Sequence, residues 1–243
     1  MKNLNEPSQV LPANEGGILE SRLQRRSFLQ YAGAGAAALA LTAVGCRKDR
    51  GFTNDIYGVT LDFKDDFGVL NYAYALEQLE AAFYTQVSNN LAIFTDSTER
   101  AYFQDIRAHE VAHREFFKSV LGTGSIGSLT PDFSSIDFNS RTAVLAAAKT
   151  FEDLGVAAYN GAGVRIQNAA YLTVAGQIVS VEARHAAAIR DMISNGSFSN
   201  LSELQSSGLG ADSANGLDGA LPPDKVLAMA SKYIKTKINV INL

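Results

Sequence analysis

Two short strings, Glu110-Val111-Ala112-His113 and Glu182-Ala183-Arg184-His185, decide how this chain is interpreted. Each reads Glu-x-x-His, and residues three apart lie on one face of a helix, about one turn from each other. A carboxylate and an imidazole placed in this way can bind one metal ion from a single helix. The chain has only three histidines, and two of them stand in this pattern, so the repetition is stronger evidence than one match.

A second repeat supplies partners for these pairs. The segment Glu77–Tyr84 aligns with Glu152–Tyr159: both begin with Glu, carry Leu two residues on and end with Tyr seven residues on. Two helical turns return each Tyr to the face of its Glu. The order Glu, Glu-x-x-His, Glu, Glu-x-x-His is the ligand set of a carboxylate-bridged dinuclear centre in a four-helix bundle.

On these motifs the chain resembles the ferritin-like superfamily over roughly residues 62–195. It is most similar to exported bacterial ferritin-like domain proteins, which are relatives of the plant desiccation-related proteins. The resemblance implies that Glu110 and Glu182 bridge two metal ions. The ends of the centre are then completed by Glu77 with His113 and by Glu152 with His185. Carboxylates and imidazoles suit two divalent first-row ions, iron or manganese.

Three further side chains are candidates for supporting roles. Tyr84 and Tyr159 are candidate hydrogen-bond donors to the terminal carboxylates. Glu80 lies one turn from Glu77 and is either an alternative ligand or a solvated or supporting carboxylate. Gly155 takes its place in the second repeat, which favours Glu77 as the ligand. His109 lies about 100° around the helix from Glu110 and is not expected to bind metal.

Apolar periodicity predicts an all-α fold with four helices near residues 65–88, 97–121, 140–168 and 171–195. The first two and the last two are joined by short links, which indicates antiparallel neighbours. Residues 122–139 form a linker long enough to run along the whole bundle. We therefore expect two antiparallel hairpins joined by one long crossover, as in ferritin. Glycines at 155, 161 and 163 are interpreted as close packing beside the metal site, with a break near 161 as the alternative.

The flanking segments are expected to be simpler. Residues 47–61 are interpreted as a tether, and residues 196–243 as an extension to the bundle domain. Within this extension, residues 196–221 are predicted to be loop, and 222–236 a short fifth helix that begins near Pro223. Residues 237–243 are expected to be an apolar tail that packs back on the bundle.

Residues 1–46 resemble an export signal. Arg25 and Arg26 lie in a stretch similar to the twin-arginine consensus, and an apolar run too short to span a membrane follows from Tyr31 to Gly45. The run ends at Cys46 in a sequence that resembles a lipoprotein box, so Cys46 is the expected lipidation site. The alternative is a cytoplasmic protein with an Ala-rich N-terminal helix and a buried Cys. The expected partners are the twin-arginine export machinery and, through the lipid, the membrane of the cell envelope.

Composition limits the function further. The 243 residues carry a net charge of −4, which gives no basic footprint for nucleic acid. A single Cys excludes an intramolecular disulfide and the cysteine sites of rubredoxin-like electron transfer. Three functions stay open: an oxidoreductase acting on O2 or H2O2, a metal-binding or iron-handling protein, and a stress-related structural bundle without turnover.

Overall fold

Four long helices form the main body of the computed structural model, which describes residues 58–243. They are α1 (Asp66–Val87), α2 (Ser97–Leu121), α3 (Arg141–Gly163) and α4 (Ala169–Ile193). Each begins after a residue whose side chain accepts a hydrogen bond from the first turn: Asp65, Asp96, Ser140 and Asn168. The predicted all-α bundle is confirmed.

The helix α3 ends at Gly163, before the predicted residue 168. The reason is a contact with a distant element. Both carboxylate oxygens of Asp66, at the start of α1, accept hydrogen bonds at 2.8 Å from the backbone N–H groups of Gln167 and Asn168. This attachment draws the chain out of the helix and places Asn168 as the cap of α4. The alternative break near residue 161 does not occur.

The linker between α2 and α3 is predicted to run the length of the bundle, and the structure places it along α1. The side chain of Asn71, near the start of α1, accepts a hydrogen bond from Ile126 N–H at 2.8 Å, and that of Gln78 accepts one from Leu129 N–H at 2.8 Å. Beyond the end of α1, Asn90 donates to the Phe138 carbonyl at 3.3 Å. Side-chain amides therefore hold the crossover in register from one end of α1 to the other.

The flanking segments contain more structure than their composition indicates. Strand β1 (Val59–Asp62) pairs in parallel with β2 (Ile238–Ile241), with Val59 opposite Ile238. Residues 58–61, at the end of the tether predicted for 47–61, thus belong to the folded domain, and Leu61 is fully buried. A short helix α5 (Leu201–Ser206) lies in the predicted loop, and α6 (Pro223–Ala230) lies in the predicted fifth helix.

The C-terminal extension covers the outside of α3 and closes an aromatic core. Leu221 N–H donates to the Ala157 carbonyl at 2.9 Å, which fixes the extension on α3. Phe151 packs edge-on against Tyr233 of the extension at 4.7 Å and against Phe83 of α1 at 4.8 Å between ring centroids. Most residues of α1 and α3 are buried, whereas only one face of α2 and α4 is, so α1 and α3 are the central pair of helices. None of the described helices is long and apolar enough to cross a membrane.

Candidate metal centre

The four long helices direct six side chains to one point inside the bundle. α1 and α3 each contribute one Glu, and α2 and α4 each contribute the Glu and the His of a Glu-x-x-His pair. The four carboxylates are completely buried, at 0% exposure. The six residues are the predicted ligands Glu77, Glu110, His113, Glu152, Glu182 and His185, which form two overlapping groups of potential metal ligands.

The first group surrounds Nδ1 of His113. This nitrogen lies 3.0 Å from Glu182 Oε1, 3.5 Å from Glu77 Oε2 and 3.6 Å from Glu110 Oε2. One ligand atom from each of the four residues lies within 4.8 Å of every other. Such a cluster has the size and the donor types of a site for one divalent cation.

The second group surrounds Nδ1 of His185 in the same manner. It lies 2.8 Å from Glu110 Oε1, 3.4 Å from Glu152 Oε2 and 3.7 Å from Glu182 Oε2. The two groups share Glu110 and Glu182, and each shared carboxylate faces His113 with one oxygen and His185 with the other. This is the geometry of a bridging carboxylate.

Most of these buried atoms have no hydrogen-bond partner in the described part of the chain. The nitrogens and oxygens are as close as 2.8 Å, but none of them forms a hydrogen bond with another. Leaving buried polar atoms unpaired costs about 1–3 kcal/mol each, and more for charged groups. A cation at each centre removes that cost, so the residues fit a metal pair. The eight atoms are Glu77 Oε2, both oxygens of Glu110, His113 Nδ1, Glu152 Oε2, both oxygens of Glu182 and His185 Nδ1.

Protons carry the compensating charge when no metal is bound. Burial opposes a positive charge, but the surrounding carboxylates raise the pKa of both His113 and His185 to about 12. Burial alone would raise the pKa of Glu182, but the two imidazolium groups lower it to about 2. Burial and the charge of Glu182 raise the pKa of Glu110 to about 8. The two imidazolium groups thus supply positive charge to the metal-free site, as metal ions would in a metal-bound site.

Two tyrosines cross between the repeats to hold the terminal carboxylates. The Tyr84 hydroxyl of α1 donates to Glu152 Oε1 of α3, and the Tyr159 hydroxyl of α3 donates to Glu77 Oε1 of α1. Each terminal Glu therefore has one oxygen held by a Tyr and one directed to a metal position. This is the supporting contact that the sequence predicts for both tyrosines, with the added feature that each serves the other repeat.

Glu80 is buried beside the centre, so the interpretation of this residue as a solvated carboxylate is wrong. It is 4% exposed and its Oε2 lacks a hydrogen-bond partner. Its Oε1 occupies space left by Gly155: a Cβ built there would lie 2.9 Å from that oxygen. Burial, together with the charges of Glu182 and Glu110, raises the pKa of Glu80 well above its usual range. Glu80 is in neither four-residue ligand group, although it lies next to the site.

His109 has a role that the helical wheel does not reveal. Its Nδ1 lies 2.9 Å from Nε2 of His185, the ring nitrogen opposite the metal-facing Nδ1, and the two rings are within 10° of parallel. The expectation that His109 is not itself a ligand agrees with this position. The contact joins α2 to α4, and the only sequence signal for it is that His109 precedes the ligand Glu110 directly.

The predicted export residues Arg25 and Arg26 and the predicted lipidation site Cys46 lie outside the described residues. The twin-arginine and lipoprotein assignments stay predictions from the sequence.

Comparison with known families agrees with the fold and the site. Residues 65–195, just over half of the chain, match the family model described as a ferritin-like domain. The chain belongs to this family, and the matched range contains all four long helices and all six candidate ligands. No curated protein matches the chain.

Proposed function

We propose that this protein binds two divalent first-row metal ions, iron or manganese, and acts as an oxidoreductase on O2 or H2O2. One observation carries the proposal: two four-residue groups share Glu110 and Glu182, with one oxygen of each facing each group. Four carboxylates nearly neutralise two 2+ ions, so the buried centre is electrostatically balanced. When bound, a metal pair of this kind supplies redox chemistry on O2 or peroxide.

The residues around the centre have separable roles in that chemistry. Glu77 and His113 would hold one ion, and Glu152 and His185 would hold the other. Tyr84 and Tyr159 fix the terminal carboxylates, so that each presents one oxygen to the centre. Glu80 is buried beside the shared carboxylates and burial raises the pKa of its carboxyl group, so this side chain is the candidate to hold and donate a proton there. Complete burial of the carboxylates keeps bulk water from competing with a small substrate.

The donor set gives the choice of metals. Copper and zinc bind most nitrogen and oxygen sites more tightly than iron or manganese do, so affinity alone does not select the metal. The oxygen-rich ligand set, with one imidazole per ion, is the feature that suits iron and manganese. The competing functions are iron handling without turnover and a structural bundle. The eight unpaired buried ligand atoms disfavour the structural bundle, because a purely structural core has no reason to retain them.

Metal analysis combined with turnover tests the proposal. The protein is expressed in its own host, purified and analysed for metals, and its reaction with O2 and H2O2 is followed. We expect about two ions of iron or manganese per chain and turnover that is lost in Glu110→Ala and Glu182→Ala. The control is Glu115→Ala, an exposed Glu on the same helix α2. Full metal content without turnover would favour iron handling, and no bound metal would favour the structural bundle.

We also propose that the protein acts in the cell envelope, exported by the twin-arginine route and anchored by lipid on Cys46. The support is the sequence of residues 1–46, and a folded metal protein fits a pathway that carries folded cargo. Cys46→Ala should move the protein from the membrane fraction to a soluble fraction, and replacing Arg25 and Arg26 by Lys should block export. A mature N-terminus elsewhere, without membrane association, would contradict lipidation.

A further inference from the structure

The two halves of the candidate centre differ at one position beside the ligands. The Glu-x-x-His pair of α2 is preceded by His109, whereas that of α4 is preceded by Val181. His109 reaches from α2 to the Nε2 of His185 on α4 at 2.9 Å. Among the described residues, none makes a corresponding hydrogen bond to Nε2 of His113. The internal repeat is therefore symmetric in its ligands and asymmetric in what holds them.

We propose that His109 is a positioning residue for His185 and makes the metal position of Glu152 and His185 the tighter of the two. The inference rests on the proposed metal pair, and it concerns the order in which the two positions fill. His109 touches neither metal position itself; it acts through the ring of His185.

The chemistry of imidazole defines how the contact works. When Nδ1 of His185 binds a cation through its lone pair, the ring proton resides on Nε2. The hydrogen bond then runs from His185 Nε2–H to Nδ1 of His109. It fixes both the rotation of the His185 ring and the tautomer that leaves Nδ1 free for metal. Partners of this kind typically contribute 10–100-fold in metal affinity.

Burial agrees with the same asymmetry. The side chain of His185 is 5% exposed, and that of His113 is 13% exposed. His185 is thus shielded from solvent and contacts the imidazole of His109, which is itself exposed. Among the described residues, the only polar contacts given for the His113 ring are with the three carboxylates around its Nδ1. The position of Glu77 and His113 is expected to fill second and to release its ion first.

Titration calorimetry of the metal-free full chain with Mn(II) alone tests the proposal. We expect two binding steps in the parent protein, with His109→Leu weakening the tighter step by about 10–100-fold and leaving the other unchanged. His109→Gln, which keeps a hydrogen-bond acceptor, should restore part of the loss. In a His185→Ala background His109→Leu should have no further effect, whereas in a His113→Ala background the loss should persist. Gln104→Leu, at an exposed position of α2, is the control.

The outcomes separate this inference from the proposed function. A parent protein that binds no Mn(II) would overturn both. A parent that binds two ions with affinities unchanged in His109→Leu would overturn only the role of His109. Equal weakening of both steps, with a lower melting temperature of the metal-free protein, would mean a general packing defect and would also overturn it. His109→Ala is made in parallel, so that a folding failure of the Leu variant does not decide the test.

Discussion

At the scale of single residues, the centre contains carboxyl groups whose pKa values are shifted in opposite directions. Two imidazolium groups face Glu182 and lower its pKa, while burial among negative charges raises the pKa of Glu80. The two residues have the same chemistry, so the difference comes from their neighbours. Glu80 has room in the bundle only because residue 155 on the facing helix has no side chain.

The different surroundings of Glu80 and Glu77, both on α1, predict different results when each is changed to Gln. Glu80 is in neither ligand group, and Glu80→Gln keeps the size of the side chain, so Mn(II) affinity should stay unchanged. Glu77→Gln removes the carboxylate of a candidate ligand whose Oε2 lies 3.5 Å from His113 Nδ1. Loss of a residue that only supports a metal ligand typically costs about 10–100-fold in metal affinity, so loss of a ligand should weaken one Mn(II) binding step by at least that much. Calorimetry with Glu115→Gln as control measures both; equal losses would make Glu80 a ligand.

The sequence allows the six candidate ligands to be selected, because the spacing of Glu and His within one helix is local. It does not reveal the raised pKa of Glu80 or the contact of His109, because both depend on residues of other helices. A helical wheel places His109 away from Glu110, which is accurate for α2 taken alone. In the folded protein α4 lies beside α2, and His109 contacts His185 on that neighbouring helix.

At the scale of elements, local patterns predict the four long helices, and distant contacts determine what the patterns miss. α3 ends early because Asp66 at the start of α1 holds the backbone that follows it. β1 has no local alternation to mark it, since its parallel partner β2 lies near the other end of the chain. The glycines of α3 also have two different surroundings. Gly155 faces the metal centre as predicted, but Gly161 is close to the backbone of Leu221 in the C-terminal extension.

A pair of Gly→Ala changes tests the role of Gly161 in docking the extension. A Cβ at residue 161 would overlap the backbone oxygen of Leu221, so Gly161→Ala should destabilise the fold by about 1–3 kcal/mol. Gly176→Ala is the control, because a Cβ at this position in the interior of α4 would meet no atom within 4 Å. It should stabilise by about 0.5–1 kcal/mol. Urea unfolding measures both changes, and a stabilising Gly161→Ala would contradict the docking contact.

At the scale of the whole molecule, the bundle is built around a cluster of charge that needs a counterion. Four buried carboxylates from four helices repel one another, and the same helices pack together only if positive charge lies between them. Protons on His113 and His185, whose pKa values are raised by the carboxylates, provide it in the metal-free protein, and metal ions would provide it in the proposed metal-bound protein. Fold stability and metal binding are therefore linked through one site, and pH acts on them in opposite directions.

The metal-free protein should lose stability as the pH rises from about 5 to 8. The pKa of Glu110 is raised to about 8 and that of Glu152 to about 7, in both cases chiefly by burial. The stability that these groups contribute is present below the ordinary carboxyl pKa and is lost as the pH passes through the raised values. His113 and His185, with pKa raised to about 12, contribute stability that also begins to decline above the ordinary histidine pKa. Glu182 has the opposite sign, but its lowered pKa matters only in acid.

Bound metal should reverse this trend, because ligands bind it in their deprotonated forms and metal affinity rises with pH. The increase in melting temperature on adding Mn(II) should be larger at pH 8 than at pH 5. At a free metal concentration of 100 Kd, one site adds about 2.7 kcal/mol, or roughly 5–10 °C for a domain of this size. Calorimetric melting at both pH values, with Mn(II) or with chelator, measures the crossing of the two trends. A metal-free protein that gains stability between pH 5 and 8, or an equal metal shift at both, would mean that the buried carboxylates and imidazoles do not share one counterion site.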